Sequence, residues 1–171
     1  TVSCTPTITT NKGKYYESQF EEATIKLLRE AHWQYAFGDD IHRKYTDPLI
    51  EEDLRNFLAV QYKDKNLTTS EMDSIVANLR NTGGQNDYYA LRNTFLLYRD
   101  GYDFAYSDGR SNPFRLEYID FEHPDHNIFR CVNQFVMEQG RENRRPDILL
   151  FINGIPVCII ELKNPTKQNA T

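Results

Sequence analysis

The stretch that most restricts how this chain can fold runs from Arg145 to Lys163 and reads RPDILLFINGIPVCIIELK. Asn153-Gly154 splits an apolar run in two, and Asn-Gly between such segments is the strongest short-range signal for a β-hairpin. Both arms, Asp147 to Ile152 and Ile155 to Lys163, are apolar nearly throughout. A hairpin of that kind needs cover on one or both faces, which predicts an α+β chain with helices laid on a sheet. Its ends carry Asp147, Glu161 and Lys163. Charges at the ends of buried strands are costly without a partner, and a metal ion is one such partner.

Hairpin register decides whether those charges meet. Glu161 and Lys163 are two apart on a strand and leave by one face. A two-residue loop pairing Ile152 with Ile155 sends Asp147 opposite Ile160, away from Glu161. A three-residue loop with a glycine bulge, Phe151 opposite Ile155, pairs Asp147 with Ile159 and sets it diagonally beside Glu161. The bulged turn, with Gly154 left-handed, is therefore the expectation.

The rest of the chain supplies the helices. ESQFEEATIKLLREA, Glu17 to Ala31, places Phe20, Ala23, Leu27, Leu28 and Ala31 on an apolar face. Asp47-Pro48 reads as the cap and first turn of a second helix reaching about Tyr62. Thr68 and Glu71 have capping-box spacing before a third that ends near Asn81 to Gly84, and a fourth spans Asp87 to Arg99. Beyond Gly101, Phe114 to Phe121 and Asn127 to Met137 read as strands, giving helices followed by a meander.

With 20 Lys plus Arg against 25 Asp plus Glu, the net charge of -5 excludes a protein that coats nucleic acid through bulk charge. Arg141, Arg144, Arg145 and Lys167 concentrate positive charge near the hairpin, where they are either a solvated loop or local contacts to DNA phosphates. Cys4, Cys131 and Cys158 are too few and too scattered for a disulfide framework or zinc-ligand spacing, which favours a cytoplasmic setting. Cys158 reads as an inert core residue and His32 as helix-end packing. His123 and His126, in HPDH, read as a surface loop.

Two hard carboxylates suit Mg²⁺ or Mn²⁺, with Asp147 and Glu161 as ligands and the backbone carbonyl of Leu162 as a further one. Lys163 would then orient or help deprotonate an attacking water and offset charge on the phosphorane. The plainer alternative makes Asp147 a strand-end cap and Glu161 with Lys163 a solvated strand end.

Pro146-Asp147 followed by Glu161-Leu162-Lys163 resembles the signature of the PD-(D/E)xK nuclease superfamily. VNQF (Val132 to Phe135), RRPD (Arg144 to Asp147), LLFINGIPVCIIELKNP (Leu149 to Pro165) and IDF (Ile119 to Phe121) together resemble the N-terminal nuclease domain of the restriction subunit of type I restriction-modification enzymes. FEEATIKLLREAHWQY is similar to that family's opening helix. The resemblance implies a restriction-endonuclease-like core at 15–171, a mixed central sheet flanked by helices, after a loose lead-in at 1–14. It also implies a glutamate from the opening helix in the site, with Glu21 the best match ahead of Glu22 and Glu17. Double-stranded DNA and the modification and specificity subunits are the implied partners. The family continues into an ATP-hydrolysing, DNA-pulling motor, and this chain has no G-x-x-x-x-G-K-[ST] loop, so truncation before a final helix and that motor is expected. Metal-dependent DNA hydrolysis is the implied activity, and an inactive DNA- or partner-docking module is the alternative.

Overall fold

The structure is a computed structural model that describes residues 17–81, 87–139 and 142–162. Its elements run α1 (Glu17–Glu30), β1 (Gln34–Phe37), α2 (Glu51–Gln61), α3 (Thr69–Arg80), α4 (Asp87–Asp100), β2 (Tyr102–Phe104), β3 (Phe114–Leu116), β4 (Phe129–Asn133), β5 (Met137–Gln139), β6 (Glu142–Arg144), β7 (Ile148–Ile152) and β8 (Ile155–Ile160). The four-stranded sheet has the order β1-β4-β7-β8. β1 runs parallel to β4, and the remaining pairs are antiparallel. The α+β class with a mixed sheet is therefore as expected. β1 was not legible: QYAF is only four residues long and half exposed, and it earns its place by pairing with β4 far along the chain.

The third helix carries its full capping box, Thr68 bonding the Glu71 N–H and Glu71 bonding back. The second starts later than Asp47-Pro48 suggests, at Glu51 with Ile50 as its cap. Asp47 instead holds the Leu49 N–H at 3.1 Å, and Ile50 is claimed by the hairpin, its N–H donating to the Gly154 carbonyl at 2.9 Å. The opening helix is rotated relative to expectation. Phe20 and Leu27 are exposed, at 37% and 65%, while Glu21, Ile25 and Leu28 are half-buried. His32 lies exposed just past its end with φ 67°, and Trp33 packs on Phe129 instead. β3 is shorter than predicted, ending at Leu116.

Two apolar clusters hold these elements. One gathers Leu54, Phe57, Leu58, Ile75, Val76 and Ile155, with Leu116 and Tyr118 from the β3 region. The other joins Ile50, Val132, Phe135, Leu149 and Phe151. Strand β7 is buried almost throughout. β8 is a sheet edge that leaves Val157, Cys158 and Ile159 exposed, so Cys158 is not a core residue.

The hairpin corrects the expected turn. Ile152 pairs with Ile155 across a two-residue loop whose residues are both left-handed, Asn153 at φ 51° and Gly154 at φ 74°. Phe151 then pairs with Pro156 but Leu150 pairs with Cys158, leaving Val157 as the extra residue of a bulge. The one-residue offset inferred from sequence is present, placed in the strand and not in the turn. Proline lacks the N–H a regular ladder needs and is tolerated on edge strands or at bulges, which explains why the irregularity sits beside Pro156. The turn has no room for a third residue. Asn153 is fully buried, its amide bonded to Tyr118 O, Asn127 Oδ1 and the Ile128 N–H. A Cβ on Gly154 would stand 2.1 Å from the Ile50 carbonyl oxygen.

Candidate active site

Beyond the bulge the ladder ends on Ile148 opposite Ile160. One step further the same register sets Asp147 opposite Glu161, and directly opposed residues of an antiparallel pair share a face. Asp147 is half-buried between buried Pro146 and Ile148. Its Oδ2 accepts the Leu162 N–H at 2.6 Å, and among the described residues its Oδ1 accepts no hydrogen bond. Leu162 thus meets this end of the sheet through its N–H. Glu161 is exposed.

Glu21 reaches the same end from α1. Asn133, the last residue of β4, donates its carboxamide to Glu21 Oε1 at 2.6 Å, and the Gln134 amide lies 3.4 Å from both carboxylate oxygens. Gln134 also donates its backbone N–H to the Asp147 carbonyl at 3.4 Å. Its φ of 56° makes this contact possible, and its carbonyl passes so close to Gly38 that a Cβ there would come within 2.4 Å. Gln134 therefore links the Glu21 carboxylate to the main chain of Asp147.

Tyr35 on β1 donates its hydroxyl to Asn133 Oδ1 at 3.0 Å, leaving the Asn133 amine for Glu21. Burial first, then the Glu21 charge, pushes the Tyr35 phenol above its ordinary value. A shallow cleft of about 330 Å³ opens here between Ser18, Glu21, Ile25, Arg29, Tyr35 and Asn133. In the sequence VNQF marks only a likeness, which points to no role for Asn133, Gln134 or Tyr35. Two adjacent amides closing an apolar strand were the available signal.

Other expected residues are less engaged. Arg144 and Arg145 are exposed, with Arg144 3.7 Å from Glu142. Glu22 is exposed. Lys163, Arg141 and Lys167 lie outside the described residues, as does the side chain of Glu17. Glu21, Asp147 and Glu161 line one end of the sheet without closing into a tight trio. Among the described residues the group of three whose ligand atoms lie within 4.8 Å of one another is Asp120, His123 and His126. A larger cleft of about 750 Å³ lies around Arg43, Asp47, Glu51 and Arg80, where Arg80 is already paired with both acids.

The donor set suits a small hard cation. Carboxylate oxygens are its preferred ligands, and among the described residues Asp147 keeps one oxygen unengaged while Glu21 Oε2 accepts no hydrogen bond but the long one from Gln134. Among the described residues no helix is long and apolar enough to cross a membrane.

The chain is 31% identical over 165 residues to the type I restriction enzyme HindI endonuclease subunit of Haemophilus influenzae, covering 90% of this chain and 15% of that protein. It is 30% identical over 159 residues to the putative type I restriction enzyme MjaIXP endonuclease subunit of Methanocaldococcus jannaschii, covering 88% of this chain and 15% of that protein. The chain thus spans 15% of the length of these two relatives. The family described as type I restriction enzyme R protein N terminus (HSDR_N) matches residues 14–171. With nearly its whole length matched, the chain belongs to the family of type I restriction enzyme R protein N-terminal domains.

Proposed function

We propose that this chain is the DNA-cleaving module of a type I restriction enzyme, hydrolysing phosphodiester bonds of double-stranded DNA with a divalent metal. In the full-length subunit an ATP-driven translocase would feed it DNA, alongside modification and specificity subunits. The observation that carries this reading is the bulge at Val157, which returns Asp147 to the register of Glu161 at the end of the sheet where Glu21 is held.

Asp147 and Glu161 would hold Mg²⁺ or Mn²⁺, with the Leu162 carbonyl as a further oxygen donor. When bound, the cation supplies Lewis acidity at the scissile phosphate and eases loss of a proton from water. The Leu162 N–H fixes the rotamer of Asp147, so its carboxylate needs little reorganisation to bind. Glu21, oriented by Asn133, serves as an additional acid at the rim. Lys163, two residues past Glu161, orients the attacking water and offsets charge developing on the phosphoryl oxygens. Arg144 and Arg145, free to face solvent, contact DNA phosphates together with Arg141 and Lys167 and oppose the negative net charge locally.

The test is substitution in the full-length subunit assembled with its partners. Asp147→Ala, Glu161→Ala and Lys163→Ala each abolish DNA cutting while ATP hydrolysis persists. Cleavage retained by all three variants would reject the assignment in favour of a docking module.

A further inference from the structure

The connection between β3 and β4 carries a second constellation, at the far end of the sheet. Asp120 is 5% exposed and its two oxygens are differently used. Oδ1 accepts the backbone N–H of Glu122 at 3.1 Å and of His123 at 2.8 Å, an ordinary Asx turn. Oδ2 accepts Gln61 Nε2 at 3.1 Å and faces two imidazoles, His126 Nδ1 at 3.0 Å and His123 Nδ1 at 3.7 Å. Turn geometry accounts for Oδ1. It does not account for two rings that stack at 5.0 Å and 17° with the same nitrogen of each aimed at one carboxylate oxygen.

The loop is held in place from outside. Asn127 bonds the Asp120 carbonyl at 2.7 Å and the Pro124 carbonyl at 2.9 Å, and its own oxygen accepts the Asp120 N–H and the buried Asn153 amide. Gln61 ties Asp120 to the end of α2. A carboxylate anchored this way behaves as a preorganised ligand, and the two imidazoles stay accessible, at 63% and 55% side-chain exposure.

We propose that Asp120, His123 and His126 form a second cation site, for a divalent ion of the zinc class. Two imidazole nitrogens with one carboxylate oxygen favour zinc and its later transition-metal neighbours over Mg²⁺, which prefers an all-oxygen shell. On binding, the ion takes the place of the His126–Asp120 hydrogen bond, and each ring that offers Nδ1 to it gives up the Nδ1 proton and carries its proton on Nε2 instead. Water completes the coordination on the exposed side. Asp147 precedes β7 and Asn153 follows it, so about 20 Å of strand separates the two ends of the sheet at which this site and the candidate active site stand. An ion here would clamp the β3–β4 connection to the hairpin tip and to α2.

Calorimetric titration of the 171-residue chain with ZnCl₂ and separately with MnCl₂ tests this, using His123→Ala, His126→Ala and the double variant, with circular dichroism confirming the fold. One Zn²⁺ binds per chain, each single variant weakens it at least tenfold, and the double variant abolishes it. Co²⁺ gives visible ligand-field absorption in the parent and none in the double variant. Mn²⁺ uptake that depends on Asp147 is the same in all of them, so failure of one site is separable from failure of the other. Absent Zn²⁺ binding in the parent, or undiminished binding in the double variant, would overturn the proposal.

Discussion

Asn133 donates its carboxamide to Glu21 at 2.6 Å across 112 positions of sequence, joining the end of β4 to the opening helix. This contact turns an acid on an amphipathic helix into part of an active-site candidate. The amide has little freedom, because Tyr35 fixes its oxygen side.

Asn133→Ala should therefore release Glu21 without unfolding the chain. Partners that orient such groups typically contribute 10- to 100-fold in affinity or rate, so DNA cutting by the assembled enzyme should drop by roughly that factor. The denaturation midpoint should barely move. Unchanged cutting would show that the Asn133 bond does not position Glu21 for the reaction.

Gly154→Ala tests the hairpin tip. A left-handed alanine costs about 1–2 kcal/mol, and the contact with the Ile50 carbonyl raises the loss to roughly 2–4 kcal/mol. Urea unfolding reads it directly. A loss well under 1 kcal/mol would mean that the tip is not pressed onto α2 as described.

Acid sensitivity should have one identifiable source on α3. Bidentate bonding from Arg110, aided by the Thr68 cap, holds the Glu71 carboxyl down at about 2. Because its folded value lies below its unfolded one, its stabilisation is complete above about pH 4.5 and fades as pH falls from there towards 2. Glu71→Gln should be less stable than the parent at pH 6, and the gap should narrow by pH 3. A gap of constant size across that range would remove Glu71 from the account.

Asp53 on α2 receives both Nε and Nη2 of Arg130 from β4, at 2.6 and 2.7 Å, and is almost fully buried. Arg130→Met leaves that carboxylate without its partner. Breaking a buried pair typically costs 3–5 kcal/mol, and partial exposure of Arg130 places this one at about 2–3 kcal/mol. Replacing both residues by apolar ones of similar volume should recover most of the loss. Chemical denaturation of the single and double variants measures both.

Local patterns survive folding where neighbours in sequence are also neighbours in space. The Thr68–Glu71 capping box and the left-handed Gly154 at the hairpin tip are short-range chemistry and stand as read, whereas the length of the turn does not. The rotation of α1 was hidden, because Phe20 and Leu27 make a plausible apolar stripe while the buried side is chosen by Glu21 meeting Asn133. β1 was hidden for a similar reason, since a four-residue strand has no signature apart from its partner.

From the order of residues alone followed the hairpin, the capped third helix, and the need for a one-residue offset between Asp147 and Glu161, since side chains alternate faces with period two whatever surrounds them. Where that offset falls was decided by tertiary structure. Asn153 is sealed by Tyr118, Asn127 and Ile128, and Gly154 is pressed against Ile50, so the tip admits only two residues. The surplus passes to Val157 on the open edge of the sheet, beside a proline that already breaks the ladder, where an unpaired backbone group can still reach water.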